Sequence, residues 1–386
     1  MKMSKEKLKI FYIANARIPT EKAHGIQIMK MCEAFAKNGA EVTLVLPKRR
    51  NPIKENLFSY YNVEPTFKIK KLPALDFLFI DSPITFALST LVFSISTYCY
   101  LFFKKGNFVV YTRGEMVLSL AMFINKRLFW ETHIKPSNIN WYKRVIKNTG
   151  GLIVVTKYYK DLMIKEFNVL PDKVLYSPDG VDLKIFDIGT EKEEARKKLG
   201  LPTDEKIIVY TGSLLKWKGV ETLVESAEFL DSDNTVYVVG DLKKDDNYYL
   251  PPIDSSSNIK FVGLKSYKEI PLWLKASDVL VLMGTDKNET SKYYTSPLKL
   301  FEYMASRRPI VAPSLPSLLD ILDESNSFLV EPDNPKKLAE KIKFVLNNGE
   351  KSKDIAEQAY NGSKNYSWDK RAENIIKFIQ MNIRDL

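Results

Sequence analysis

Histidine and cysteine are scarce in this 386-residue chain, with two of each. Cys32 and Cys99 lie far apart and without metal spacing, which argues against a zinc finger or a disulfide framework and for a reducing compartment. Both are expected inside helices as small buried apolar residues. The opening Met1-Lys2-Met3-Ser4-Lys5 holds no apolar run, so no signal peptide is read and the expected location is cytoplasmic. No helix-turn-helix, zinc-finger or RNA-recognition signature is present, so nucleic acid is not an expected partner. The loop after the first strand lacks Gly-x-Gly-x-x-Gly, against a dinucleotide site. The glycine-flanked loop further on lacks Gly-x4-Gly-Lys-Ser/Thr, against a Walker loop. Internal repeats and low-complexity tracts are missing too.

What is present is the composition of a soluble globular chain, 45% apolar and 27% charged, long enough for two domains with a core each. The formal net charge of +11 is unevenly placed. Residues 1–190 hold 29 Lys and Arg against 16 Asp and Glu, while residues 191–386 hold 29 against 31. A basic half suggests an acidic partner, with anionic lipid or an anionic substrate foremost; scattered solvating lysines are the plain alternative.

Strand and helix patterns alternate through both halves, which predicts parallel sheets of the doubly wound kind. Leu8 to Asn15 reads as a strand, then a helix from Gly25 or Ile26 to about Asn38 ended by Gly39, then a strand from Glu41 to Leu46 stopped by Pro47. Residues 82–103, bounded by Asp81 and Lys104-Lys105, carry no charge. Length alone permits a membrane span. The strand-like runs on either side should join one sheet, however, and a span would separate them across a bilayer. A half-buried or interfacial helix is the expectation, with a core helix as the alternative. Its aromatics beside Lys104, Lys105, Lys126, Arg127, Lys143, Arg144 and Lys147 suit a monotopic membrane face.

In the first half, Tyr111-Thr112-Arg113-Gly114-Glu115 and Leu128-Phe129-Trp130-Glu131-Thr132-His133 place polar residues at the carboxyl ends of two strands, the ligand edge of an open α/β sheet. Both histidines, His24 and His133, are read in loops after strands of this half. Gly25, beside His24, lets backbone approach a ligand or is simply a turn residue. In the second half, Lys206 to Thr211 reads as a strand entering Gly212-Ser213-Leu214-Leu215-Lys216-Trp217-Lys218-Gly219. A glycine-flanked loop with two lysines between strand and helix is a reasonable phosphate cradle. Asp231-Ser232-Asp233 mimics a metal motif but precedes a strand, so it is not read as a metal site. Ser296-Pro297-Leu298-Lys299-Leu300-Phe301-Glu302-Tyr303-Met304-Ala305 follows an apolar strand and a polar loop. Ser296 suits an N-cap and Pro297 the first helical position, which leaves the amides of Leu298 and Lys299 as an anion site. Glu302, one turn further in, would repel a phosphate but accept hydrogen bonds from a pair of ribose hydroxyls. The residues alone also permit an ordinary amphipathic helix with a solvated Glu.

That run resembles the nucleotide-sugar motif of glycosyltransferase family 4, the retaining GT-B transferases. The resemblance extends over nearly the whole chain. It includes the Glu-x-His at Glu131 and His133, Lys218-Gly219 in the loop, and Ser177-Pro178-Asp179-Gly180-Val181-Asp182 before a linker placed near residues 183–192. It implies two Rossmann-like domains facing across a cleft, residues 1–188 for the acceptor and 189–365 for the donor, with a helix over 366–386 crossing back to the first domain.

The resemblance further implies retaining transfer of a sugar from a UDP- or GDP-linked donor to an acceptor hydroxyl, on a lipid-linked or other cell-envelope glycan. No metal or cofactor is implied beyond the nucleotide sugar as co-substrate. The donor would be held by Gly25, Ser213, Lys216, Lys218, Gly263, Ser296, Pro297, Leu298, Lys299 and Glu302, and the acceptor side formed by His24, Arg113, Glu131 and His133. His133, Lys218 and Glu302 would carry the catalysis. The basic first domain would meet an anionic membrane, on its cytoplasmic face. Two departures stand out. The loop position that carries Arg in the family is Ser213 here, with Lys216 as the substitute charge, and the family's first Glu before Glu302 is Tyr294. A sugar-nucleotide 2-epimerase and a silent nucleotide-sugar-binding protein are the rival readings.

Overall fold

The computed structural model describes residues 7–76, 82–125, 127–133, 139–241 and 258–383. Lys126, Asp81 and Met1 to Lys5, which enter the sequence readings above, lie outside the described residues. The chain divides into two compact units, residues 1–178 with 368–386, and residues 179–367.

The first unit alternates β1 (Lys9–Ile13), α1 (Ala23–Lys37), β2 (Glu41–Lys48), α2 (Leu57–Tyr61), β3 (Lys68–Pro73), α3 (Pro83–Phe102), β4 (Val109–Thr112), α4 (Glu115–Ala121), β5 (Leu128–Thr132), α5 (Ile139–Lys147), β6 (Gly151–Val154), α6 (Lys157–Lys165) and β7 (Val174–Tyr176). Its strands form one parallel sheet in the order β3-β2-β1-β4-β5-β6-β7. Every residue of β4, β5 and β6 is buried, as expected for central strands covered on both faces, and their near-continuous apolar runs follow from that. Pro47 does not stop β2. It pairs with Leu72 close to the strand's end, where a missing N–H is tolerated.

The second unit holds α7 (Leu183–Phe186), α8 (Lys192–Leu199), β8 (Lys206–Thr211), α9 (Val220–Ser226), β9 (Asn234–Val239), β10 (Ile259–Phe261), α10 (Ile270–Ala276), β11 (Val279–Val281), α11 (Leu298–Ala305), β12 (Ile310–Pro313), α12 (Pro316–Leu319), β13 (Phe328–Val330), α13 (Pro335–Asn347) and α14 (Gly349–Ser363). Its parallel sheet has the order β10-β9-β8-β11-β12-β13, with an apolar core on each face. The last helix, α15 (Trp368–Asn382), returns to the first unit, where Phe378 packs edge-on against Phe129 at 5.9 Å. A side chain on Gly151 would meet Phe378 at 2.6 Å, so β6 opens with a glycine to let α15 lie close.

Three details depart from the sequence reading. The stretch placed in a linker contains α7, whose Phe186 is buried against Tyr267 in the second unit, and Val181 bridges to Ser367. The boundary accordingly falls after Pro178 instead of after residue 188. Cys32 is buried, but Cys99 is exposed on α3. That helix starts on a capping box between Ser82 and Thr85, and it is not a core helix. By length and composition it is long and apolar enough to cross a membrane, yet only 28% of its most apolar window is buried.

Candidate functional site

The strand order of the second unit reverses between β8 and β11. Ligands of open α/β sheets sit at such a switch point, outside the carboxyl ends of the strands. The loop after β8 begins at Gly212 (φ +127°), whose amide donates to Val239 O at 2.8 Å. A side chain on Gly212 would strike the Lys299 ammonium at 2.6 Å. The loop closes at Gly219 (φ +64°), where a Cβ would lie 2.9 Å from Gly284 O in the segment after β11. Both ends of the loop thus take a backbone conformation that favours glycine, and at Gly219 the neighbouring backbone also leaves no room for a side chain.

Two lysines converge here. Lys218 Nζ donates to Ser213 Oγ at 2.7 Å, and burial draws its pKa down to about 8. Lys299, in the first turn of α11, places its ammonium 3.9 Å from the centroid of the Tyr210 ring. That nitrogen is buried and has no hydrogen-bond partner, although part of its stem is exposed. Burial first, then the charge of Lys218, holds its pKa well below the usual lysine range. Lys216 is exposed in the same turn, so the second buried cation is Lys299 and not Lys216.

The helix carrying Lys299 is pinned from below. Tyr303 OH accepts from Thr211 N at 2.8 Å and lies 3.1 Å from Thr211 Oγ1. Ser296 is not the cap that its residue type suggested. Helix α11 begins at Leu298 after an extended Pro297, and the Ser296 hydroxyl accepts from Asp179 N at 3.0 Å. With no side-chain acceptor at the cap, the amides of Leu298 and Lys299 remain free for an anion. One turn in, Glu302 is 7% exposed. Burial raises its pKa to about 7 against the opposing Tyr267 hydrogen bond and the Lys299 charge. Gly263 (φ +72°) turns the chain after β10, and Tyr294 is buried in a single π turn over Thr290–Tyr294.

In the first unit the sheet reverses between β1 and β4, and the polar residues at the ends of β4 and β5 form one network. Glu131 is fully buried. Its Oε1 accepts from Gln27 Nε2 (2.7 Å), His133 Nε2 (2.7 Å) and Arg371 Nη2 (3.1 Å), and its Oε2 from the Tyr111 hydroxyl. Burial alone would raise the Glu131 pKa; the Arg371 charge, with His133 and Arg113, reverses that and holds it well below the usual carboxylate range. Since a carboxylate only accepts, His133 Nε2 carries the proton of its bond to Glu131, which holds the ring in place. Arg113 donates to Gln27 Oε1. A cavity of about 50 Å³ is lined by Arg113, Glu115, Glu131, Thr132 and His133.

His24 is not in a loop but in the first turn of α1, beside Gly25. Burial, then the Arg113 and Lys22 charges, lowers its pKa to about 4, so it is neutral at ordinary pH. The space that Gly25 leaves is taken by the Tyr61 hydroxyl and Thr20 Cγ2, so packing already accounts for this glycine. The sequence reading missed Gln27, Arg371, Tyr210, Tyr267 and the Lys299 ammonium. Gln27 lies three residues from His24 on one face of α1, a spacing that was available to find it.

Residues 191–362 match the family model described as glycosyl transferases group 1. The chain resembles glycosyltransferase family 4, and its fold is GT-B. Sucrose-phosphate synthase from Thermosynechococcus elongatus superposes on this GT-B chain with a TM-score of 0.75 at 17% identity, covering 98% of this chain and 100% of that one. Alr3699/HepE of Anabaena, solved in complex with UDP-glucose, gives a TM-score of 0.71 at 14% identity over 98% and 100% of the two chains. Among curated sequences, the uncharacterized glycosyltransferase MJ1607 of Methanocaldococcus jannaschii is 27% identical over 243 residues, 58% of each chain. The chain thus spans little more than half the length of the curated relatives it matches.

Proposed function

We propose that this chain is a retaining glycosyltransferase that moves a sugar from a nucleoside-diphosphate sugar to an acceptor hydroxyl, without a metal ion. The observation that carries the reading is the Lys299 ammonium, buried and unpaired beside Lys218 at a switch point lined by free helix amides. An unneutralised buried cation is costly, and a diphosphate seated there would relieve it. Glu302, close enough to feel the Lys299 charge, is suited to accept from the ribose hydroxyls. That a neighbour of the same fold was solved with UDP-glucose favours a UDP-linked donor over a GDP-linked one.

In the reaction the bond from the anomeric carbon to the phosphate oxygen breaks, and the diphosphate leaves carrying both electrons. Lys218, Lys299 and the amides of Leu298 and Lys299 stabilise that charge as it forms, each such donor being worth about 10²–10³ in rate. The acceptor hydroxyl attacks the same face, and its proton passes to the departing phosphate. The first unit takes the acceptor, with His133 as its positioning group. The acceptor is a lipid-linked or other cell-envelope glycan, met at the inner face of the cell membrane by a cytoplasmic protein with a basic first half. A thermal-shift screen of UDP-, GDP- and ADP-sugars with and without chelator tests this, because a ligand of the folded state raises the midpoint. A rise with UDP-sugars that survives chelator supports the reading, and no rise with any of them refutes it. Conversion of the donor without an acceptor would favour the epimerase instead.

A further inference from the structure

Helix α3 is amphipathic the wrong way round for a helix facing water. Its buried residues are Ser89, Phe93, Ser94, Thr97 and Leu101, three of them hydroxyl side chains. Its outer stripe, by steps of three, four and seven residues, is Ile84, Leu88, Leu91, Ile95 and Phe102, all exposed, with Ile84 at 73% and Phe102 at 60%. The inner hydroxyls are held by the unit's own polar groups. Arg49 Nη2 donates to Ser89 Oγ at 2.8 Å, Ser89 Oγ to Leu75 O at 2.6 Å, and Asn15 Nδ2 to Thr90 Oγ1 at 2.9 Å. The Thr97 hydroxyl is buried with no partner at all. Half a turn of rotation would bury the aliphatics and wet the hydroxyls, so water is not what the outer stripe is built to face.

The helix cannot cross a bilayer while the sheet exists. It connects β3 to β4, which are parallel members of one sheet, and its inner face is bonded to that sheet's loops. The stripe from Ile84 to Phe102 is about 27 Å long at the rise of an α-helix, so it presents a long flat apolar edge. At the carboxyl end of α3 the aromatics continue in Phe103 (79% exposed) and Phe123 (66%). A cavity of about 440 Å³ opens beside them, with Lys104 and Arg127 in its wall and no carboxylate. Lys104 and Lys105 are exposed at the helix end, and no charged residue occurs within the helix.

We infer that the outer stripe of α3 seats in the interfacial layer of a bilayer, with Lys104, Lys105 and Arg127 on the phosphates of anionic lipid headgroups. Apolar side chains entering the headgroup–acyl boundary and cations remaining at its surface is the arrangement of a monotopic helix. The charge decides the occupant. A second copy meeting it with the same face would bring the same cations and, in the lining of the cavity beside the helix, no carboxylate. The inference deepens the membrane contact proposed above by naming its element, and it needs neither donor nor turnover. Its failure would leave the diphosphate site standing.

Cys99 is exposed on α3 while Cys32 is buried, so a solvatochromic thiol reagent reports on this helix in the natural chain. With vesicles of phosphatidylcholine and phosphatidylglycerol the expected result is a blue shift that weakens as salt rises. Lipid-borne quenchers placed near the headgroup should quench more strongly than those at the bilayer centre. The double variant Leu88→Glu/Leu91→Glu should bind these vesicles at least about tenfold more weakly with an unchanged thermal midpoint, both residues being exposed. Lys104→Glu/Lys105→Glu should abolish the preference for anionic over pure phosphatidylcholine vesicles. An unshifted emission on vesicles, undiminished binding by the Leu88/Leu91 variant, or stronger quenching from the bilayer centre would overturn the inference. So would a blue shift without vesicles that grows with protein concentration, which would mean a second copy.

Discussion

Replacing Lys299 with methionine separates stability from ligand binding at the proposed diphosphate site. The side chain keeps its length and loses its charge. In the ligand-free protein the ammonium is buried, lacks a hydrogen-bond partner, and has the Tyr210 face 3.9 Å away and the Glu302 carboxyl to offset desolvation. A cation–π contact of that kind contributes about 1–2 kcal/mol, while a buried ion costs several kcal/mol. Substituting an apolar side chain should therefore raise ligand-free stability by about 1–3 kcal/mol. With a nucleoside diphosphate the sign reverses, because a charge-assisted hydrogen bond worth about 1.5–3 kcal/mol is lost, or roughly 10- to 100-fold in affinity. Turnover should fall by about 10²–10³. Urea unfolding with and without UDP, and calorimetric titration of UDP, measure both halves. A variant that is less stable than the parent yet binds UDP equally well would show that Lys299 is a structural residue, and the site assignment would fail.

Glu302→Gln should behave in the same way for a different reason. The Glu302 pKa is raised in the folded state to about 7, so its contribution to stability is full below the unfolded carboxylate range and lost as pH rises through 7. At pH 8 the loss is of the order of 3 kcal/mol, and the variant should regain it while its turnover falls. Donor binding should release protons below pH 7, where the carboxylate proposed to bind ribose must ionise, and take protons up above pH 8, where Lys218 must regain its charge. Calorimetry in buffers of different ionisation enthalpy reads that change of sign, and a constant proton count would refute it. Glu131→Gln should destabilise the protein by about 3–5 kcal/mol by stranding the buried Arg371. Because the folded Glu131 pKa is depressed, the difference from the parent should be present at neutral pH and shrink as pH falls below the unfolded carboxylate range, as urea titrations across pH would show.

Much of the architecture was legible because it depends on local pattern. Lys206 to Thr211 reads as a strand from its β-branched run alone, and β8 has those bounds. The glycine-flanked loop and α11 follow from a strand, two glycines and a proline at fixed spacing. What was not legible depends on which side of an element faces inward. Ser296 has the residue type of a cap, but Asp179 N, 117 positions away, claims its hydroxyl. Lys299 was legible as a backbone amide at a helix start. Its ammonium became a candidate only when Gly212 and Tyr210 were seen packed against it. The uncharged run over residues 82–103 left core and interface open, since composition does not say that Ser89 and Thr97 point in while Leu88 and Leu91 point out.

The two buried carboxylates explain why one polar cluster reads as a scaffold and the other as a receptor. Glu131 and Glu302 are both within closed packing, and their pKa values move in opposite directions. Glu131 accepts from Gln27, His133, Arg371 and Tyr111, so its charge is compensated inside the unit and no ligand is needed to justify it. Its bond to His133 Nε2 holds that ring in place. Glu302 has the Tyr267 bond and the nearby Lys299 charge, which do not offset its burial, and Lys299 in turn has no hydrogen-bond partner. Such a site is less stable when empty, and under the proposed function it would regain stability when hydroxyls reach the carboxylate and phosphates reach the lysines. A carboxylate compensated within its own unit does not depend on a ligand for its charge; one that is not compensated can hold a ligand of complementary charge and hydrogen-bonding pattern.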